Sequence, residues 1–205
     1  PDCELIYAGK RKHLHAMSQE EINQTLIRQA QFGKQVVRLK GGDPFIFGRG
    51  GEELDALVAA GIECQVVPGI TAANGAAAAL NIPLTHRDQS SALTFITAHK
   101  RHGGLEIDWD LVLGANQTVV FYMGLSFVSH IASELLRRGK PGDTPFSVVS
   151  SATGENQLAI YSKLSDIENH PNLRSMPSPA LLIMGPAPRC LAPLSTVQQT
   201  SSRAV

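Results

Sequence analysis

The sequence lacks any apolar run near the roughly 20 residues that a membrane-spanning helix needs. It also lacks net charge, because 18 Lys and Arg balance 18 Asp and Glu, so a broad basic surface for nucleic acid is not indicated. It has only three cysteines, Cys3, Cys64 and Cys190, whose odd number and wide separation match neither a zinc site nor a disulfide framework. We therefore expect a cytoplasmic protein that binds neither membranes nor nucleic acid.

Metal-binding patterns are weak. His13 with His15 and His99 with His102 form two close pairs, but neither pair has a carboxylate or cysteine at a convincing spacing. We therefore expect no metal site.

Helical and strand patterns alternate in the first half of the chain. Ser18 and Glu21 have the spacing of a capping box, and Gly33 ends the helix that they begin. The patterns that follow predict strands at 35–40 and 63–67 and helices at 51–60 and 71–80. Such alternation with short links indicates a parallel α/β sheet.

The pattern changes after a polar link at 81–88. A helix is predicted at 127–138, capped by Ser126, and strands are predicted at 93–98, 117–123, 146–151, 157–163 and 179–185. The short link between the third and fourth of these strands favours an antiparallel pair. We predict an α/β protein of two domains, a partial N-terminal α/β domain at 1–84 and a mixed α/β domain at 85–205.

Residues 36–53, VVRLKGGDPFIFGRGGEE, are predicted to form a strand, a loop and the start of a helix. Ligands of open α/β sheets bind at such carboxyl ends of strands. Gly41 and Gly42 allow a ligand close to the backbone, Asp43 is an acceptor for hydroxyl or amino groups, and Arg49 suits a carboxylate. The alternative is that the glycines only form a turn and Arg49 is solvated. The loop is neither a Walker A motif nor a GxGxxG fingerprint.

Four segments carry a resemblance to a known family: GGDPFIFGRGGEE at 41–53, VVPGITAA at 66–73, PLTHRD at 83–88 and VFYMGL at 120–125. They resemble the uroporphyrinogen III C-methyltransferases, including the methyltransferase part of siroheme synthase. The resemblance implies the two-domain tetrapyrrole methyltransferase fold, with a mostly parallel first sheet and a mixed second sheet. It also implies a homodimer that uses S-adenosylmethionine (SAM) to methylate uroporphyrinogen III, giving precorrin-2 and S-adenosylhomocysteine.

The resemblance assigns roles to individual residues. The cofactor contacts that it implies are Gly41, Gly42, Asp43, Ile46, Thr71, Ala72, Met123 and Ala152. Ala152 stands where similar enzymes have glycine, and Gly154 is the alternative contact. Lys10, in AGKRKH, is the candidate for proton handling, against the simpler alternative of a surface lysine. Arg49 and Arg87 are the candidates for substrate carboxylates, within a wider set of cations: Lys10, Arg11, Lys12, His13, His15, Arg38, Lys40, Arg49, His86 and Arg87. A solvated face is expected for the rest of that set.

The family's first strand and first loop have no counterpart before Pro1, so we expect this chain to be part of a longer polypeptide. Two other interpretations stay open. One is a methyltransferase that acts on a later corrin precursor. The other is a truncated, non-catalytic protein that binds SAM or serves as an interaction module. The choice between the siroheme and cobalamin branches also stays open.

Overall fold

A computed structural model describes residues 3–9, 17–98 and 104–186. The chain forms two compact units, Pro1–Ile70 and Thr71–Val205. The predicted domain boundary at 84/85 falls within the second unit, and as a division between domains it stays a prediction. None of the helices in the described ranges is both long and apolar enough to cross a membrane.

Among its described residues, the first unit contains the helices α1 (Gln19–Gln31) and α2 (Gly50–Ala59). The predicted capping box is present, because the Glu21 amide donates to Ser18 Oγ at 3.2 Å and the Ser18 amide donates to Glu21 Oε2 at 2.6 Å. Gly33 follows α1 in the left-handed region, with φ 74°, where a glycine has no steric cost. The sequence therefore predicted both helices to within about a turn.

The two strands predicted in the first unit are not formed among its described residues. Segments 35–40 and 63–67 are irregular in the structure, and the apolar side chains of Val37, Leu39 and Val67 are exposed. The predicted parallel first sheet is therefore wrong for the described part of this unit. The physical reason is that β-branched composition only favours a strand, whereas the ladder itself requires a hydrogen-bonded neighbour.

The second unit holds most of the regular structure. It begins with helix α3 (Ala72–Leu80), and its second helix is α4 (Val128–Arg137). Its strands are β1 (Ala92–Thr97), β2 (Gln117–Tyr122), β3 (Pro145–Ser150), β4 (Leu158–Lys163) and β5 (Ala180–Met184). In the part of this unit that the structure describes, 3₁₀ turns lie at Trp109–Val112, Leu125–Phe127, Ile167–Asn169 and Leu173–Ser175. Ser126 lies inside the second of these turns, so Phe127 rather than Ser126 is the N-cap of α4.

The five strands form one mixed sheet in the order β1-β2-β5-β3-β4. Strands β1 and β2 are parallel, whereas the β2–β5, β5–β3 and β3–β4 pairs are antiparallel. The predicted antiparallel pairing of β3 with β4 is therefore confirmed, as is the mixed character of this sheet. Because β5 runs against both of its neighbours, β1, β2 and β3 all end at the same edge of the sheet.

Both faces of the sheet are buried. Along β2 the side chains alternate, so Val119 and Phe121 join one apolar cluster with Ile131 of α4. Val120 and Tyr122 join a second cluster on the opposite face, with Ala73 and Ala76 of α3. Helix α3 is thus held against the sheet of the second unit by its small alanine side chains, and its first residue lies near the end of β2.

Candidate functional site

In the first unit, Asp43 organises the glycine-rich loop that precedes α2. Its Oδ1 accepts a hydrogen bond from the Phe45 amide at 2.8 Å, and its Oδ2 accepts one from the Gly69 amide at 3.0 Å. These N–H donors hold the pKa of Asp43 below its ordinary value, so the carboxylate stays ionised. Sequence reasoning assigned Asp43 to a ligand; in the structure Oδ1 bonds within the loop and Oδ2 ties the loop to Gly69. Its role as a cofactor contact stays a prediction.

The same turn explains why position 69 is glycine. A β-carbon at Gly69 would collide with the carbonyl oxygen of Gly42, and Gly42 itself is left-handed, with φ 81°. The Gly41–Asp43 turn and the Pro68–Gly69 turn therefore meet backbone to backbone.

We expect Gly69→Ala to destabilise the first unit by about 1–3 kcal/mol, because the added β-carbon would meet backbone atoms of Gly42 that cannot rotate away. Amide hydrogen exchange of α1 and α2 measures this loss. Gly51→Ala is the matched control, because a β-carbon there meets nothing within 4 Å and lies inside a helix, where alanine is favoured over glycine. Equal exchange in the two variants would contradict the assigned collision.

Arg49, a predicted substrate contact, precedes α2 with a left-handed backbone at φ 59°. Its guanidinium is paired in a fork with Glu52, through Nε–Oε1 at 2.8 Å and Nη2–Oε2 at 2.7 Å. Both side chains are about half exposed. A substrate carboxylate would have to share this arginine with Glu52. Ile46, a predicted cofactor contact in the same loop, has 36% of its surface exposed.

Glu53 of α2 is almost fully buried, with 5% exposure. Lys40 Nζ lies 2.9 Å from both of its oxygens, while Arg38 Nε and Gln19 Nε2 each lie 3.2 Å from Oε1. Burial works to raise the pKa of Glu53, but the hydrogen bonds from Lys40 and Gln19 and the charges of Arg38 and Lys40 lower it below its ordinary value. The expectation that Arg38 and Lys40 form a solvated face is therefore wrong, because both cations neutralise a buried carboxylate.

In the second unit, two predicted cofactor contacts follow the common edge where β1, β2 and β3 end. Met123 comes directly after β2, with a left-handed φ of 55° and 52% exposure. Ala152 follows β3 between Ser151 and Thr153, which are also left-handed, with φ 49° and 68°. Tyr122 pairs with Leu181 and Ser150 pairs with Ala180, so the two strand ends are separated only by the start of β5. Strained non-glycine backbone of this kind clusters at functional sites.

The start of α3 joins this edge through Tyr122. Its hydroxyl lies 2.6 Å from Thr71 Oγ1 and accepts a hydrogen bond from the Ala73 amide at 3.1 Å. Thr71 is buried, whereas Ala72, the first residue of the helix, is exposed. Thr71, Ala72, Met123 and Ala152 are thus brought to one edge of one unit. Sequence reasoning missed Tyr122, although a tyrosine in the buried run VVFY signals a hydroxyl that needs a partner.

Ala152 contributes its methyl group to the apolar cluster of Ala73, Ala76 and Tyr122. The alanine that replaces the family's glycine is therefore accommodated by packing within this unit. Its role as a cofactor contact stays a prediction, as does the alternative role of Gly154.

The remaining predicted residues are more isolated. Arg87 is exposed in a loop closed by the bridge between His86 and Ser90. Lys10 lies outside the described residues, as do the histidine pairs His13/His15 and His99/His102. Within the described residues, no group of three or more His, Cys, Asp and Glu side chains is arranged to hold a metal ion.

A cavity of about 300 Å³ lies at the opposite edge of the second unit's sheet, among residues that include Leu113, Lys140 and Pro145. Burial lowers the pKa of Lys140, whose Nζ donates to the carbonyl oxygens of Gly114 at 2.7 Å and Leu113 at 3.4 Å. Lys140 therefore caps the backbone carbonyl groups directly after the Trp109–Val112 turn. The cavity is therefore separate from the candidate site.

Comparison with known proteins gives a consistent result. The family model of Tetrapyrrole (Corrin/Porphyrin) Methylases matches residues 3–168. A siroheme synthase of Thioalkalivibrio sulfidiphilus is 50% identical over 184 residues, which cover 90% of this chain but 38% of that protein. The chain thus spans about two fifths of the length of the curated relatives that it matches.

Solved structures agree with this result. The uroporphyrin-III C-methyltransferase from Thermus thermophilus, complexed with S-adenosylhomocysteine, is 34% identical with a TM-score of 0.74, covering 84% of this chain and 75% of its own. A cobalt precorrin-4 methyltransferase is 26% identical with a TM-score of 0.73, covering 82% of this chain and 71% of its own. With the mixed α/β architecture, these matches establish that the chain belongs to the tetrapyrrole methylase family.

Proposed function

We propose that this chain transfers methyl groups from SAM to carbon atoms of uroporphyrinogen III, giving precorrin-2 and S-adenosylhomocysteine. The observation that carries the proposal is the gathering of Thr71, Ala72, Met123 and Ala152 at one edge of the second unit's sheet. It is supported by the 34% identity to a uroporphyrin-III C-methyltransferase that was solved with S-adenosylhomocysteine.

The residues at this edge suit an adenosyl-sulfonium group. Ala72 is small and exposed, Ala152 is small and half-buried, and Met123 presents a flexible apolar side chain that is half exposed. Bound SAM supplies a methyl group that its positive sulfur already activates. The chain's own contribution is then to hold the reactants in line and to help the methylated pyrrole lose its proton. Lys10 is our candidate for the proton, as a prediction from the resemblance alone.

The substrate carries eight carboxylates, so local cations are required although the net charge is zero. Arg49 and Arg87 are the candidates that we keep. Both are exposed, and Arg49 already adopts the forked geometry that arginine uses with a carboxylate. Arg38 and Lys40 are not candidates, because they pair with Glu53.

Uroporphyrinogen III is favoured over a later corrin precursor because identity to the uroporphyrin enzyme is 34%, against 26% for the cobalt precorrin-4 enzyme. A second candidate is a non-catalytic SAM-binding protein. It is motivated by the first unit, where segments 35–40 and 63–67 form no strand in the structure. We also propose a homodimer and a cytoplasmic location. The location agrees with the free thiols of Cys3 and Cys64, and dimerisation can be measured by light scattering.

The deciding experiment incubates the purified protein with uroporphyrinogen III and SAM. Production of S-adenosylhomocysteine together with a doubly methylated tetrapyrrole, detected by mass spectrometry, is the expected result. Binding of S-adenosylhomocysteine without turnover, in this chain and in the longest native polypeptide that contains it, would instead support the non-catalytic candidate. Methylation of cobalt precorrin-4 but not of uroporphyrinogen III would support the later substrate.

A further inference from the structure

The Tyr122 side chain is held both by packing around its ring and by contacts of its hydroxyl group. It is the last residue of β2 and only 7% exposed, and its ring packs with Ala73 and Ala76 of α3. Phe95 of β1 meets it edge to face, with ring centroids 5.7 Å apart and an interplanar angle of 63°. The hydroxyl is therefore held at one place at the edge of the sheet, directly before Met123.

That hydroxyl replaces a missing helix cap. Thr71 is the N-cap of α3, a position where threonine usually accepts a hydrogen bond from an amide of the first turn. Thr71 makes no such bond, and the Ala73 amide donates instead to Tyr122, 49 residues away in the sequence. The Thr71 hydroxyl is turned toward Tyr122 at 2.6 Å. The start of the helix is thus anchored to the sheet through one phenolic oxygen.

Two predicted cofactor contacts, Thr71 and Ala72, lie on this anchored segment, and a third, Met123, is the next residue after the anchor. We propose that Tyr122 is a positioning residue, whose hydroxyl sets the placement of Thr71 and Ala72 for cofactor binding. The inference rests on the proposed function, because it deepens the role of the same edge. Tyr122 itself acts through its neighbours, since its hydroxyl is directed at the Ala73 amide and Thr71.

The test compares Tyr122→Phe with the wild-type protein. Phenylalanine keeps the ring in the cluster but removes both hydrogen bonds to the start of α3. We expect the Kd for S-adenosylhomocysteine, measured by calorimetry, to rise about ten-fold, and the KM for SAM to rise more than the KM for the tetrapyrrole. Hydrogen exchange of the Ala73 and Asn74 amides is expected to accelerate in the same variant.

Tyr161→Phe is the matched control. Tyr161 is also buried, at 9% exposure, but it lies on β4 in a different apolar cluster, with Ile82 and Ala159. The control is expected to keep wild-type affinity. Equal loss of affinity in both variants, or unchanged affinity in Tyr122→Phe, would overturn the positioning role. If the wild-type protein itself binds no S-adenosylhomocysteine, the proposed function fails instead.

A second pair of variants keeps the inference testable if Tyr122→Phe folds poorly. Thr71→Ser retains the hydroxyl that faces Tyr122, whereas Thr71→Val removes it at nearly constant shape. Serine is expected to preserve the affinity for S-adenosylhomocysteine, and valine is expected to lose it to a similar degree as Tyr122→Phe. Retained affinity in Thr71→Val would overturn the proposed link between the two hydroxyls.

Discussion

Replacing Glu53 with alanine is expected to lower the free energy of unfolding of the first unit by about 3–5 kcal/mol. The substitution leaves Lys40, whose side chain is 11% exposed, without its carboxylate partner. It also removes the hydrogen bonds that join α2 to Gln19 of α1 and to Arg38. A buried charge without a partner costs far more than the exposed pairs elsewhere in this unit contribute.

The measurement is amide hydrogen exchange of α1 and α2, because the single tryptophan, Trp109, lies in the second unit. Tryptophan fluorescence then reports on the second unit and is expected to change little. Glu52→Ala is the matched control: Glu52 is the adjacent residue of the same helix, but its pair with Arg49 is about half exposed. We expect it to cost less than about 1 kcal/mol. Similar losses in the two variants would contradict the burial argument.

The same carboxylate predicts a pH dependence. The pKa of Glu53 is lower in the folded than in the unfolded chain, so its contribution to stability is present above its unfolded value, about 4.3. That contribution is lost as the pH falls through the lowered folded value. The difference in stability between the wild type and Glu53→Gln is therefore expected to be constant near neutral pH and to shrink below about pH 4. If this difference in stability stayed constant down to acidic pH, the ionised Glu53 carboxylate would be excluded as its source.

The second large effect concerns the candidate cofactor edge. Ala72→Trp is expected to weaken binding of S-adenosylhomocysteine at least ten-fold, about 1.4 kcal/mol, because the bulky ring would occupy the place of the ligand. Ala72 is exposed at the first position of α3, so the substitution is expected to leave folding intact. Calorimetric titration measures the affinity. The tryptophan introduced at position 72 adds a second fluorophore beside the native Trp109, and its emission reports directly on the site.

Ala78→Trp is the matched control for this prediction. Ala78 is also exposed on α3, but it lies in the last turn of the helix, away from Thr71 and Ala72. The control is expected to bind S-adenosylhomocysteine as the wild type does. If Ala72→Trp binds as tightly as Ala78→Trp, the start of α3 is not part of the cofactor site.

The second unit was predictable from sequence because its signals are local. The five strands lie within about two residues of their predicted ends, since short apolar runs such as 117–122 are bounded by clear turns. The glycine-rich loop was identified as a site candidate from its local motif, and the start of α3 through the family resemblance. What these motifs do not specify is how a side chain is used once folded, and Asp43 bonds to Phe45 and Gly69 rather than standing free.

The features that sequence reasoning missed depend on distant residues. Segments 35–40 and 63–67 have the composition of strands, but pairing decides whether a strand forms, and no local pattern encodes it. The Tyr122 hydroxyl meets Thr71 across 51 positions of the chain, so neither motif alone reveals the contact. Sequence reasoning placed Lys40 in a solvated cationic set because its partner, Glu53, lies thirteen positions further on.

The exposed side chains of Val37, Leu39 and Val67 favour self-association of this polypeptide in solution. Exposed apolar segments that are rich in β-branched residues offer a template to any chain that has a β-forming stretch of its own. A high protein concentration therefore favours intermolecular β-pairing and aggregation. We therefore expect this polypeptide to stay dispersed best at low protein concentration.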